Sequence, residues 1–148
     1  MFIVPSKDGI NKHLDLNLKK GERVKQTMRM VYVATPYAGL NVSDINRPFA
    51  AKKLAIAECQ KVIKAGYIPI SPVLAFGEIF DESTDRDKAI NAGLELLSHC
   101  SYIYFSDHAD AARSQGMKIE REYANELGLT ELDFSQNQAS QGLFEECL

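Results

Sequence analysis

The chain predicts an α/β domain of three layers, Rossmann-like or flavodoxin-like, with a mostly parallel sheet of about five strands. Three observations carry this. Short apolar runs of strand length recur at 30–34, 67–70, 100–105 and 129–134. Helix-spaced apolar residues fill the intervals between them, and glycines at 66 and 128 supply helix stops. At 148 residues the chain suits one core, so a single domain over 30–134 is expected, with an extension at 1–29 and a tail at 135–148.

In the extension, Leu14, Leu16 and Leu18 alternate like a short edge strand before the charged turn at 19–23. Met30, Val31, Tyr32, Val33 and Ala34 read as a buried parallel strand, and Thr35, Pro36, Tyr37, Ala38 and Gly39 form the turn after it. Over 46–65, Phe49, Ala50, Leu54, Ala57 and Ile63 fit an amphipathic helix stopped by Gly66. A second strand at 67–70 is left by Ser71, Pro72, Val73 and Leu74. The acidic run 81–87 leads to a helix over 87–99 and a third strand at 100–105. After the polar stretch 106–113, Met117, Ile119, Tyr123, Ala124 and Leu127 mark a helix over 116–128, and 129–134 is the last strand. The polar linker 135–142 precedes an apolar-acidic end, Leu143 to Leu148. No internal repeat is present.

The chemistry gathers around Ser114-Gln115-Gly116-Met117-Lys118-Ile119-Glu120. A helix opening near Gly116 offers free backbone N–H groups to an anion, with the Ser114 hydroxyl as a further donor and no Cβ at Gly116 to obstruct approach. Glu120 falls one turn inside, on the face shared with Gly116 and Ala124. In a doubly wound sheet the loops at the carboxyl ends of the strands meet where ligands bind, which brings the 35–39 turn to the same cleft.

These residues resemble the nucleoside 2-deoxyribosyltransferase superfamily. The resemblance lies in Tyr32-Val33-Ala34-Thr35-Pro36-Tyr37, Ile68-Pro69-Ile70-Ser71-Pro72 and the series Ser114, Gly116, Glu120, Ala124, and it covers about residues 30–134. It is closest to small bacterial and phage branches and more remote for the deoxynucleoside monophosphate N-glycosidases. It implies that Glu120 is the nucleophile at the anomeric carbon, that Ser114 and Gly116 hold a 5′-phosphate, and that Tyr37 contacts the nucleoside. The substrate-binding set expected from the three loops is Thr35, Pro36, Tyr37, Gly39, Ser71, Pro72, Ser114 and Gly116. The sequence departs from the family at Gly93, where many members carry an aspartate that protonates or orients the leaving base. Asp85 and Asp87 are the substitutes on offer, although such a run is also what a solvated loop and helix N-terminus look like.

The expected chemistry is cleavage of an N-glycosidic bond of a nucleoside or nucleotide, completed by water or by a second base. The different-class alternative is a non-catalytic protein that senses or sequesters a nucleotide-derived signal. A net charge of −3 shows no basic footprint for a nucleic-acid polymer. Cys59, Cys100 and Cys147 give neither a disulfide framework nor paired metal spacing, and His13, His99 and His108 are scattered, so neither metal nor cofactor is expected. No apolar run is long enough for a bilayer and the first residues lack the form of a signal peptide, which makes the cytoplasm (a host's, for a phage-encoded chain) the expected compartment. By resemblance, a homodimer or larger homo-oligomer is expected.

Overall fold

The structure is a computed structural model, and it describes residues 29–134. The alternating leucines of the extension, His13, Cys147 and the tail lie outside the described residues. The elements run β1 (Met30–Ala34), α1 (Arg47–Lys64), β2 (Ile68–Ile70), α2 (Pro72–Phe76), α3 (Arg86–Leu97), β3 (Tyr102–Phe105), α4 (Gln115–Leu127) and β4 (Thr130–Glu131). A 3-10 turn at Ala111–Arg113 precedes α4.

The sheet is parallel throughout and ordered β2-β1-β3-β4. Among the described residues it has four strands rather than about five. Each β1 residue alternates between faces, as a pleated strand requires. Val31 and Val33 join Cys59 and Val62 of α1 with Tyr104 and Phe134 on one face. Tyr32 and Ala34 join Ile103 with Leu97 of α3 and Met117 and Ala124 of α4 on the other. The result is the three-layer arrangement, with β1 fully buried from Val31 onward.

Three details differ from the sequence expectation, each for a physical reason. The helix over 46–65 is present as α1, but its inward face is Ala51, Ala55, Glu58, Cys59 and Val62, while Phe49 and Ile63 are 72% and 57% exposed. The two alanines let the helix axis lie close to the sheet, and that closeness turns the large residues outward. The segment after β2 is not a plain loop. Ser71 is extended and its Oγ accepts from the Leu74 N–H at 3.2 Å, while Pro72 takes the first helical position, so a short helix forms. The last strand is only two residues long. Its exposed edge residues pair with Tyr102 and Ile103, and then the chain turns to pack Phe134 against the ring of Tyr104 at 4.8 Å. Burying that ring outweighs continuing an exposed edge.

The start of α4 follows the expectation closely. Ser114 is its N-cap, with Oγ accepting from the Met117 N–H at 3.1 Å, and Gly128 closes it in the left-handed region at φ 72°.

Candidate active site

The strand order reverses between β1 and β3, the place in a doubly wound sheet where ligands bind beyond the carboxyl ends of the strands. A hollow that opens to solvent lies there. Its inner end is formed by Tyr32, Thr35, Gly93, Ser114, Gly116 and Glu120. Tyr37, Pro72, Val73, Phe76, Phe80 and Ile90 are half-buried along its walls, and Glu82 and Arg86, about a third of each side chain open to solvent, stand towards its mouth.

Glu120 is one helical turn inside α4, as its spacing from Gly116 requires. Its carboxylate accepts a hydrogen bond from the Tyr32 hydroxyl. Burial raises the Glu120 carboxyl to about 7, although the Tyr32 hydrogen bond acts in the opposite direction. Removal from water therefore wins over a single donor, since it penalises the charged form. Burial, followed by the Glu120 charge and hydrogen bond, pushes the Tyr32 phenol well above its ordinary value, so it stays a proton donor to Glu120.

Gly93 explains how this pair fits. A Cβ built there would lie 3.1 Å from the Tyr32 hydroxyl oxygen and 3.6 Å from the Pro72 Cβ. Any larger side chain would crowd the phenol away from Glu120. The position lacking a carboxylate is thus the position that lets the tyrosine hydroxyl pass.

One turn before Glu120, the N-terminus of α4 presents Ser114 and Gly116 to the cleft. The Ser114 Oγ already accepts from Met117, which leaves its proton available to a ligand. Thr35 lines the same end. It is 7% exposed, and its Oγ1 is buried without a hydrogen-bond partner among the described residues. A buried hydroxyl with nothing to bond costs ~1–3 kcal/mol, a cost relieved by a ligand atom beside it.

The two loops are fastened to each other. The Asn41 N–H donates to Asp110 Oδ2 at 2.9 Å, and the Arg113 guanidinium pairs with the same carboxylate. These contacts, the Asn41 N–H first, hold the Asp110 carboxyl below its usual range. Gly39 permits the close approach, because a Cβ there would stand 3.3 Å from the Arg113 carbonyl oxygen.

Of the residues expected from sequence, Thr35, Tyr37, Pro72, Ser114, Gly116 and Glu120 meet in the cleft. The others serve it indirectly or not at all. Pro36 is buried beneath the loop, Gly39 makes the loop contact just described, and Ser71 caps α2. Asp85 accepts from the Asp81 N–H at 3.1 Å and Asp87 is exposed in the first turn of α3. Neither lines the cleft, so the structure brings no aspartate from this run to Glu120. From the same run Glu82 and Arg86 do line it, ion-paired with each other. Their spacing of four, one turn apart, was the available signal. Phe76 and Phe80, with ring centroids 5.8 Å apart, line the cleft too, and no element is expected from the sequence over the stretch that carries them.

Residues 29–134 match one family along their whole length. The chain belongs to the DUF7768 family, a domain of unknown function. The matched span coincides with the described residues, so all the cleft residues lie within it. No curated protein and no solved structure matches the chain. Among the described residues, no group of three or more His, Cys, Asp or Glu could hold a metal ion, and no helix is long and apolar enough to cross a membrane.

Proposed function

We propose that this DUF7768 domain is a nucleotide N-glycosidase or deoxyribosyltransferase with Glu120 as its nucleophile. The observation that carries the reading is the Tyr32-bound carboxylate of Glu120, enclosed at the same end of the cleft as Ser114, Gly116 and the unpaired Thr35 hydroxyl. A carboxylate one turn from an anion-binding helix start suits a sugar phosphate. The phosphate is held at the N-terminus of α4 and the anomeric carbon faces Glu120.

In the reaction, the bond from the anomeric carbon to the base nitrogen breaks with its electron pair leaving on the base. A Glu120 oxygen forms the new bond to that carbon, giving a glycosyl ester, or stabilises the oxocarbenium-like charge that develops there. Water then attacks the same carbon and gives up a proton, releasing the sugar phosphate and restoring Glu120. A second base in place of water gives transfer. Tyr32 fixes the carboxylate and stays protonated throughout. Glu120 must be ionised to attack, and a value about 7 leaves a substantial ionised fraction at neutral pH.

A second reading is favoured by Gly93. No aspartate reaches Glu120 from the position where resembling enzymes carry one, and a protein that captures a nucleotide without turnover needs none. Incubating the protein with nucleosides, nucleoside monophosphates and dinucleotides, then separating the products by chromatography and mass, decides between them. Release of free base supports the enzyme. Ligand bound tightly and recovered unchanged supports capture.

A further inference from the structure

We infer that Glu82 and Arg86 read the base at the mouth of the cleft, and that the base they fit is guanine. The inference rests on the nucleotide reading of the cleft given above.

Arg86, Ala89, Ile90 and Gly93 recur at three- and four-residue steps and all line the cleft. That face of α3 is a ruler. Gly93 abuts the Tyr32 hydroxyl, which holds Glu120, so Arg86 starts two turns, ~10 Å, further along the helix. Between these ends the walls are aromatic and aliphatic, with Tyr37, Val73, Phe76, Phe80 and Ile90 facing the space. A sugar whose anomeric carbon faces Glu120 points its base along this apolar stretch, and the outer edge of the base meets the charged pair. Flat apolar walls hold any base. Only the pair can discriminate.

In the free protein Glu82 and Arg86 are bonded to each other and are 35% and 37% exposed, so both remain open to a ligand. An ionised carboxylate only accepts, and a guanidinium only donates. Guanine is the common base that presents two neighbouring donors, N1–H and N2–H, beside two neighbouring acceptors, O6 and N7. It can therefore engage the carboxylate and the guanidinium together, each through two bonds. Adenine offers the carboxylate a single exocyclic donor flanked by acceptors. Thymine and uracil flank their one donor with carbonyl oxygens that repel it. The same placement bears on the missing carboxylate at Gly93. With Arg86 donating to O6 and N7, the electron pair left on departing guanine is stabilised by a cation, and the base takes its proton from solvent afterwards.

The test is equilibrium titration of the full chain with the 5′-monophosphates of deoxyguanosine, deoxyinosine, deoxyadenosine and thymidine, with each ligand checked for turnover. Wild type, Glu82→Gln and Arg86→Gln are compared, with melts showing that each variant is folded. Wild type should bind the guanine nucleotide about tenfold or more tightly than the adenine and thymine ones. Hypoxanthine, which lacks the N2 amino group, should fall between. Glu82→Gln should close the gap between guanine and hypoxanthine, and Arg86→Gln should weaken both. The wild-type comparison of guanine with hypoxanthine needs no substitution, so a misfolded variant does not remove the test. Equal binding of all four, or a guanine preference untouched in both variants, overturns the inference and leaves the nucleotide site standing. No binding of any nucleotide overturns both. Guanine-selective binding without release of base keeps this inference and removes the glycosidase.

Discussion

The hydroxyl of Tyr32 on β1 donates to the carboxylate of Glu120 on α4, joining residues 88 positions apart. The contact exists because β1 sends Tyr32 to the face that α3 and α4 cover, and because Gly93 leaves a gap through which the hydroxyl reaches.

Glu120→Gln keeps shape and hydrogen-bonding reach but removes the charge that the proposed mechanism requires. Turnover should fall by at least ~10³-fold, the scale of losing an essential nucleophile. Nucleotide affinity should hold or improve, since a negative charge near the phosphate is removed. Single-turnover kinetics beside a binding titration check this, and a variant that turns over at the wild-type rate would mean that Glu120 is not the nucleophile.

The same residue makes stability depend on pH. Burial raises the folded-state carboxyl from 4.5 to about 7, so the folded protein favours the neutral form. The contribution is therefore most favourable below about 4.5, is lost as pH rises towards 7, and is flat above that. The full span is at most about 3 kcal/mol. Glu120→Gln should raise the melting temperature at pH 8 and change it little at pH 4.5. A gain of equal size at both values would show that the carboxyl is not raised.

Tyr32→Phe removes the one hydrogen bond that opposes the burial effect on Glu120. The acidic limb of the pH profile of kcat/KM should then move to higher pH, above about 7. Loss of activity without any movement of the limb would mark Tyr32 as packing alone.

Ser114 caps α4, and in the proposed function it is also a donor to the phosphate. Ser114→Ala should cost about 1 kcal/mol of stability and reduce the preference for nucleotide over nucleoside by about tenfold or more, as befits a hydrogen bond to a charged group. Ser114→Gly, a better cap than alanine, should recover most of the stability and none of the phosphate preference. Titration and thermal melts separate the two, and an undiminished preference in both variants would take Ser114 out of the phosphate site.

Gly93→Ala tests the gap directly. Alanine favours a helix over glycine by about 1 kcal/mol, but its Cβ would press on the Tyr32 hydroxyl at 3.1 Å. The variant should melt within about 1 kcal/mol of wild type while its kcat/KM falls. Unchanged activity would show that Tyr32 need not sit where it does.

The layers and the site's inner end were legible because they rest on local signals. Alternating burial in β1, the Ser114 cap, and the turn from Gly116 to Glu120 are all written in short spacings. What was not legible depends on distance in sequence. Nothing local says that Tyr32, a core residue by pattern, ends in a hydrogen bond to α4, or that Gly93 is small to let it through. The acidic run shows the same limit. Its aspartates looked like candidates by type, but the phase of α3 carries Arg86 inward and leaves Asp87 exposed. On α1, apolar spacing suggested Phe49 and Ile63 as the inward face, whereas close packing on the sheet selected Ala51 and Ala55.

The clasp of Asn41 to Asp110, with Gly39 against Arg113, joins loops that leave two different strands. They are thereby cross-linked to each other, one continuing β1 and the other β3. On the opposite wall, the turn after α2 is tied to α1 by the exposed pair of Lys52 and Glu78. Whatever the Ser114 end of the cleft binds is therefore met by one cross-linked wall, and a substitution at Asn41 or Asp110 should be felt at Ser114 as well.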